Sequence, residues 1–143
     1  MGNRESSSHY IHIITLTITE GGYNIAKATN EFMLDNENIK YDLAHPQSPK
    51  TTFGFVAEGL RKRKAVGNGP ITILSCDNLQ HNGNTARKAF LSFFQAQDPE
   101  LAEWATVNIT FPNSMVDRIT PSTQPEDIIR LNAQNGTQDG APV

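Results

Sequence analysis

Short β-branched runs alternating with helix-patterned segments constrain this chain more than anything else in it. Residues 10–19 read YIHIITLTIT and residues 71–76 read ITILSC. Each is a dense apolar run bounded by turn residues, the pattern of a strand buried on both faces. The first runs into Glu20-Gly21-Gly22-Tyr23, where glycines permit a sharp change of direction. The second exits at Asp77-Asn78. A third run, residues 107–111, is closed by Pro112-Asn113-Ser114.

Helical patterns fill the gaps. Ser48-Pro49 fits a helix start, with serine as N-cap and proline at the first position. Phe53, Val56, Ala57 and Leu60 follow at i, i+3, i+4 and i+7, one apolar face. The run Arg61-Lys62-Arg63-Lys64 suits the negative end of the helix dipole as a solvated face. A loop containing Asn82-Gly83-Asn84 precedes a second helix, with Ala86, Ala89, Phe90, Phe93 and Phe94 on one face. Asp98-Pro99-Glu100 opens a third, shorter helix. The acidic, Asn-rich residues 35–38 read as surface loop, and the tail holds one or two helical turns at Pro-Glu-Asp-Ile-Ile-Arg.

The order strand, helix, strand, helix, strand calls for an α/β fold with a mostly parallel sheet, flanking helices and right-handed crossovers. That is half of a doubly wound, Rossmann-like domain. Residues 10–121 are expected to form this partial domain, after a polar leader at 1–9 and with residues 122–143 as the polar C-terminal tail of the same domain. Half of such a sheet is expected to leave a strand edge and an apolar face exposed.

A net charge of −3 disfavours nucleic acid and acidic membrane as partners. No apolar run approaches a membrane span of about 20 residues. The first nine residues lack the apolar core of a signal peptide, and the one cysteine, Cys76, forms no intrachain disulfide. These features point to the cytoplasm. No metal-ligand spacing occurs: His81 reads as a loop residue, and Cys76 as a small buried residue at a strand end.

In open α/β sheets ligands bind beyond the carboxyl ends of the strands. Three polar segments belong there: residues 19–23, 75–78 and 111–118. From position alone, Asn78 either donates to a substrate oxygen or caps a turn. Asp117 either accepts from substrate hydroxyls or pairs with Arg118. Glu20 is either a partly buried acid or a turn carboxylate in water. No Gly-x-Gly-x-x-Gly occurs, and Gly67-Asn68-Gly69 precedes a strand rather than following one.

Three segments together carry a resemblance: TITEGGY at 17–23, LSCDN at 74–78 with Asn82-Gly83, and FPNSMVDRITP at 111–121. They resemble the polyol-specific long-chain dehydrogenase family, and the residues around them resemble its fungal mannitol 2-dehydrogenases. The resemblance covers about residues 10–143. It implies an NAD-dependent enzyme acting on a small polyol or ketose. It further implies that Asn78 hydrogen-bonds the reacting oxygen and Asp117 binds substrate hydroxyls. Thr17, Thr19, Glu20 and Ser75 are implied to neighbour the cofactor. The family's phosphate-binding glycine loop and its Lys-x4-Asn-x3-His base helix have no counterpart in these residues. The chain by itself is therefore expected to show little or no turnover. The competing expectations are a non-catalytic truncated relative, or a dehydrogenase for another polyol or a hexuronate.

Overall fold

A computed structural model describes residues 11–117 and 123–140. The polar leader at 1–9 lies outside the described residues, as do Tyr10 and Arg118. Three strands, β1 (Ile13–Leu16), β2 (Ile71–Ser75) and β3 (Ile109–Thr110), form one sheet in the order β1-β2-β3. Both pairings are parallel, with Ile14 opposite Ile73, Leu16 opposite Ser75, and Ile71 opposite Ile109. Between β1 and β2 come a 3-10 turn (Glu20–Tyr23), α1 (Glu37–Ala44) and α2 (Thr52–Ala65). Between β2 and β3 come α3 (Asn82–Gln97) and α4 (Pro99–Asn108); α5 (Pro125–Asn135) follows β3. The partial Rossmann-like α/β layer expected from the sequence is present.

The helices α1 to α4 pack against one another, and α3 lies on β2. Side chains alternate along a strand, so one sheet face sends Leu16, Ile71, Ile73 and Ile109 into the core. There they join Leu60, Phe90, Phe94 and Leu101 in a single cluster. Phe53 and Phe90 approach to 4.9 Å between ring centroids. Fully burying one such ring is worth about 2–3 kcal/mol.

The opposite face is barely covered. Ile13 is 55% exposed, Thr15 and Thr110 are exposed, and Thr72 and Leu74 are half-buried. β1 is therefore not buried on both faces, as its composition suggested; only its Ile14 and Leu16 side meets helices. It also lies at an edge of the described sheet, as expected of half a layer.

Several boundaries differ from the sequence pattern for identifiable reasons. The residues read as a loop at 35–38 include the start of α1, whose N-cap Asn36 accepts from the amides of Asn38 and Ile39. With few buried apolar residues, α1 has little periodicity to betray it. α2 begins at Thr52 rather than at Pro49. The fully buried Asp42 carboxylate accepts the Lys50 and Thr51 amides at 2.7 and 2.8 Å, holding Pro49 and Lys50 outside the helix. Gly54 answers this contact, since a Cβ there would lie 2.4 Å from Asp42 Oδ2.

Residues 107–111 yield only two strand residues, because α4 continues through an 82%-exposed Val107 to Asn108. Asn82, Gly83 and Asn84 begin α3 instead of preceding it. The tail helix is longer than one or two turns: α5 has 11 residues, with Pro125 in its first turn and Gly136 at φ 65° as its C-cap.

The basic run at the end of α2 is only partly a solvated face. Arg63 is 2% exposed. Its guanidinium donates to the carbonyls of Ile11 (3.0 Å), Gly69 (2.8 Å) and Pro70 (3.2 Å). It thus ties together the approaches to β1 and β2. Burial lowers its pKa from the ordinary arginine value.

Candidate active site at the carboxyl edge of the sheet

Each strand ends in a polar loop at the same edge. After β1, Thr17 and Thr19 are exposed, and the 3-10 turn swings Tyr23 back beneath the sheet edge. The Tyr23 side chain is fully buried. Its hydroxyl lies 2.7 Å from Ser75 Oγ and 2.6 Å from Asp77 Oδ2. A carboxylate can only accept, so the phenol proton goes to Asp77. Burial first, and then this bond to Asp77, push the Tyr23 pKa well above its ordinary value.

After β2 the chain turns outward at Asn78 and returns through His81 into α3. His81 adopts the left-handed region at φ 55°, a conformation costing about 1 kcal/mol or more for a non-glycine residue. It delivers Asn82 into the interior, fully buried. Gly83 follows for a steric reason. A Cβ at this position would lie 2.3 Å from the Pro112 carbonyl oxygen, so only glycine lets α3 touch the loop after β3. That loop is held further by Asn84 N donating to Asn113 Oδ1 at 3.2 Å.

The loops after β2 and β3 thereby bring the two main candidates together. Asn78 Nδ2 donates to Asp117 Oδ2 at 3.4 Å, and both side chains are exposed. An amide carries two N–H bonds, so the Asp117 contact leaves one for a ligand oxygen. Asp117 retains lone pairs for hydroxyl donors. An amide donor beside a carboxylate acceptor can read a C–OH or C=O flanked by further hydroxyls.

The remaining candidates fall differently. Thr17 and Thr19 lie at the accessible end of β1. Glu20 opens the 3-10 turn, with its side chain outside the described part. Ser75 has no exposed surface. Its hydroxyl meets Tyr23 and its carbonyl accepts from Ser114 Oγ and Asn82 Nδ2. It supports the site from beneath and does not face a ligand directly. Sequence reasoning left Tyr23, Asp77, Asn82 and Ser114 without roles of their own. The available signal was polarity where packing demands none: a Tyr and an Asp next to strand ends, and Asn-Gly opening a helix.

A nicotinamide dinucleotide fits this edge in part. Exposed hydroxyls and amides lie beyond the ends of parallel strands, where such ligands bind. Gly21 has open space where a Cβ would stand. The glycine-rich phosphate loop has no counterpart in the 143 residues. The residues present thus suit the nicotinamide end and not the pyrophosphate.

A parallel α/β layer with polar loops gathered at the carboxyl edge of its strands defines a Rossmann-type nucleotide domain. The chain belongs to the mannitol dehydrogenase family: the model of its Rossmann domain matches residues 3–143. A polyol:NADP oxidoreductase of Gluconobacter oxydans is 53% identical over 93% of this chain. A mannitol 2-dehydrogenase of Emericella nidulans is 46% identical over 92%. Among solved structures, Pseudomonas fluorescens mannitol 2-dehydrogenase in ternary complex with NAD and D-mannitol superposes with a TM-score of 0.79. It shares 46% identity over 99% of this chain. The chain spans 27% of the length of both curated relatives and 29% of that solved chain.

Proposed function

We propose that this chain supplies the polyol-facing half of the nucleotide domain in an NAD-dependent mannitol 2-dehydrogenase that interconverts D-mannitol and D-fructose. The observation that carries the reading is the meeting of Asn78 and Asp117, from two separate strand-end loops, at 3.4 Å. A nicotinamide dinucleotide held at this edge would supply the hydride acceptor for the carbinol carbon, or the hydride donor for the ketose. Asn78 donates an N–H to the oxygen on that carbon, stabilising the alkoxide charge that builds there as the hydroxyl proton leaves or as hydride arrives at the ketose. Asp117 accepts hydrogen bonds from neighbouring hydroxyls and fixes which carbon reacts. Thr17, Thr19 and Glu20 border the cofactor; Ser75 acts beneath them. The enzyme works in the cytoplasm on a small polyol or ketose.

None of the 143 residues provides the lysine base implied by the family resemblance. General-base assistance is commonly worth about 10²–10⁴-fold. Turnover therefore requires this segment within a longer chain. The test exchanges the chain for the matched segment of the Pseudomonas fluorescens enzyme and measures D-mannitol oxidation with NAD and with NADP. Retained oxidation, with NAD preferred, is the expected outcome. An exchanged enzyme that folds and binds NADH but oxidises no polyol overturns the reading. NADH fluorescence titration of the isolated chain, followed by D-fructose, is the companion measurement, and the missing phosphate loop predicts no saturable binding there.

A further inference from the structure

We propose that Asn82 is the positioning residue that sets the spacing of the Asn78–Asp117 pair. The inference rests on the reading of that pair as the polyol site. Asn82 touches no candidate ligand position, being fully buried. It touches both loops that carry the pair. Its Nδ2 donates to the carbonyls of Ser75 (3.2 Å) and Asp77 (3.0 Å), the latter immediately before Asn78. The same Nδ2 lies 3.1 Å from Ser114 O and 2.9 Å from Ser114 Oγ, three residues before Asp117, so its two N–H bonds are shared among four acceptors. Its Oδ1 accepts from Ser114 N at 2.9 Å and from Gly83 N at 2.8 Å.

Ser114 closes the ring, its hydroxyl donating to the Ser75 carbonyl. One amide therefore serves three backbone segments at once: the end of β2, the loop after β3 and the first turn of α3. The exposed pair has one direct contact, at the long end of hydrogen-bond distance. Such a contact cannot hold two loops in register. The buried ring beneath it can, because parting the loops would leave the Ser114 amide and hydroxyl without their partners across the ring.

The consequence differs from simple support of the fold. A shift of about 1 Å in the pair costs on the order of 10²-fold in rate when the reacting groups must be aligned. Among the described residues, the loop after β1 that would bring cofactor contacts makes no direct bond to Asn82 and meets it only through Tyr23 and Ser75. Substituting Asn82 should therefore damage handling of the polyol while leaving NADH binding in place.

The test uses the enzyme carrying this chain in exchange for the matched segment, as above. Asn82→Asp keeps the size and the acceptor but replaces the donor with a carboxylate facing backbone carbonyls. The expected result is a loss of about 100-fold in kcat/KM for D-mannitol, with NADH affinity within about twofold. Ser114→Ala removes the hydroxyl of the ring and keeps the backbone contacts. It should raise the D-mannitol KM about fivefold with the same selectivity. If Asn82→Asp does not fold, Ser114→Ala decides: an unchanged KM overturns the inference. Polyol kinetics within about threefold of the parent in a folded Asn82→Asp overturn it as well, as does parallel loss of NADH binding and turnover. Failure of the unsubstituted exchanged enzyme is a different result, because it removes the polyol reading itself.

Discussion

The two ends of the sheet are held by the same device for different ends. At the amino end, Arg63 is buried and bonded to the carbonyls of Ile11, Gly69 and Pro70. At the carboxyl end, Asn82 is buried and bonded to the carbonyls of Ser75, Asp77 and Ser114. Each side chain satisfies strand-end backbone that no helix or ladder serves. They differ in what lies above them. No candidate site residue stands beside the Arg63 cluster, whereas the Asn82 cluster underlies an exposed amide and carboxylate. The amino end can thus be read as stability alone, and the carboxyl end as stability converted into geometry.

Arg63→Met is the largest perturbation and the sharpest test of that division. Methionine keeps the apolar stem but removes every donor. Three carbonyls lose a partner, at about 1–3 kcal/mol for each one that water cannot reach. Gly69 and Pro70 are exposed, so water offsets part of the loss. A net destabilisation of about 3 kcal/mol is expected by urea denaturation. In the exchanged enzyme, the D-mannitol KM per folded site should not change. A raised KM would show that the two ends are coupled through β2 and would break the comparison.

Gly83→Ala strikes the carboxyl end. The added methyl would overlap the Pro112 carbonyl, a backbone atom that cannot rotate away. Either α3 or the loop after β3 must shift, at about 1–3 kcal/mol for overpacking. Here stability and polyol kinetics should fall together, with kcat/KM down about tenfold or more. A variant that is destabilised but keeps its polyol kinetics would mean that the loop after β3 moves as a rigid body with Asp117.

These two positions also mark where the sequence was readable and where it was not. The strands and the apolar helix faces were legible because burial repeats at strand and helix periods, as at Phe53, Val56, Ala57 and Leu60. Asn78 and Asp117 stood out by position, beyond the ends of strands, and by motif, and the structure brings their side chains together. The buried polar residues were not. Arg63 stands in a run of four cations, and nothing in the run says which one turns inward. Asn82 and Asp42 each satisfy backbone groups distant in sequence or structure that periodicity does not encode. The start of α2 went astray for this reason: a carboxylate eight residues upstream of Lys50 overrode the local Ser-Pro signal. The open sheet face was misread because its Ile13 looks like core until the neighbouring layer is known.

Tyr23→Phe gives the smallest effect and separates the supporting layer from the pair above it. Removing the hydroxyl leaves Asp77 Oδ2, nearly buried, without its phenol partner. The cost is about 1–2 kcal/mol, since Asp77 can recover some solvation. The pH dependence is the more telling readout. The folded state holds Tyr23 protonated above the ordinary phenol value of 10.0, mainly by burial. Its contribution is fully present below pH 10.0 and is lost as pH rises from there toward the higher folded value. The unfolded chain gains from ionising the phenol in that window, and the folded chain does not. Urea midpoints of the parent should therefore fall more steeply above that pH than those of Tyr23→Phe, which has no phenol to ionise. Parallel curves would mean that Tyr23 titrates freely. The buried layer under Asn78 would then be open to water, and the carboxyl end would owe its order to Asn82 alone.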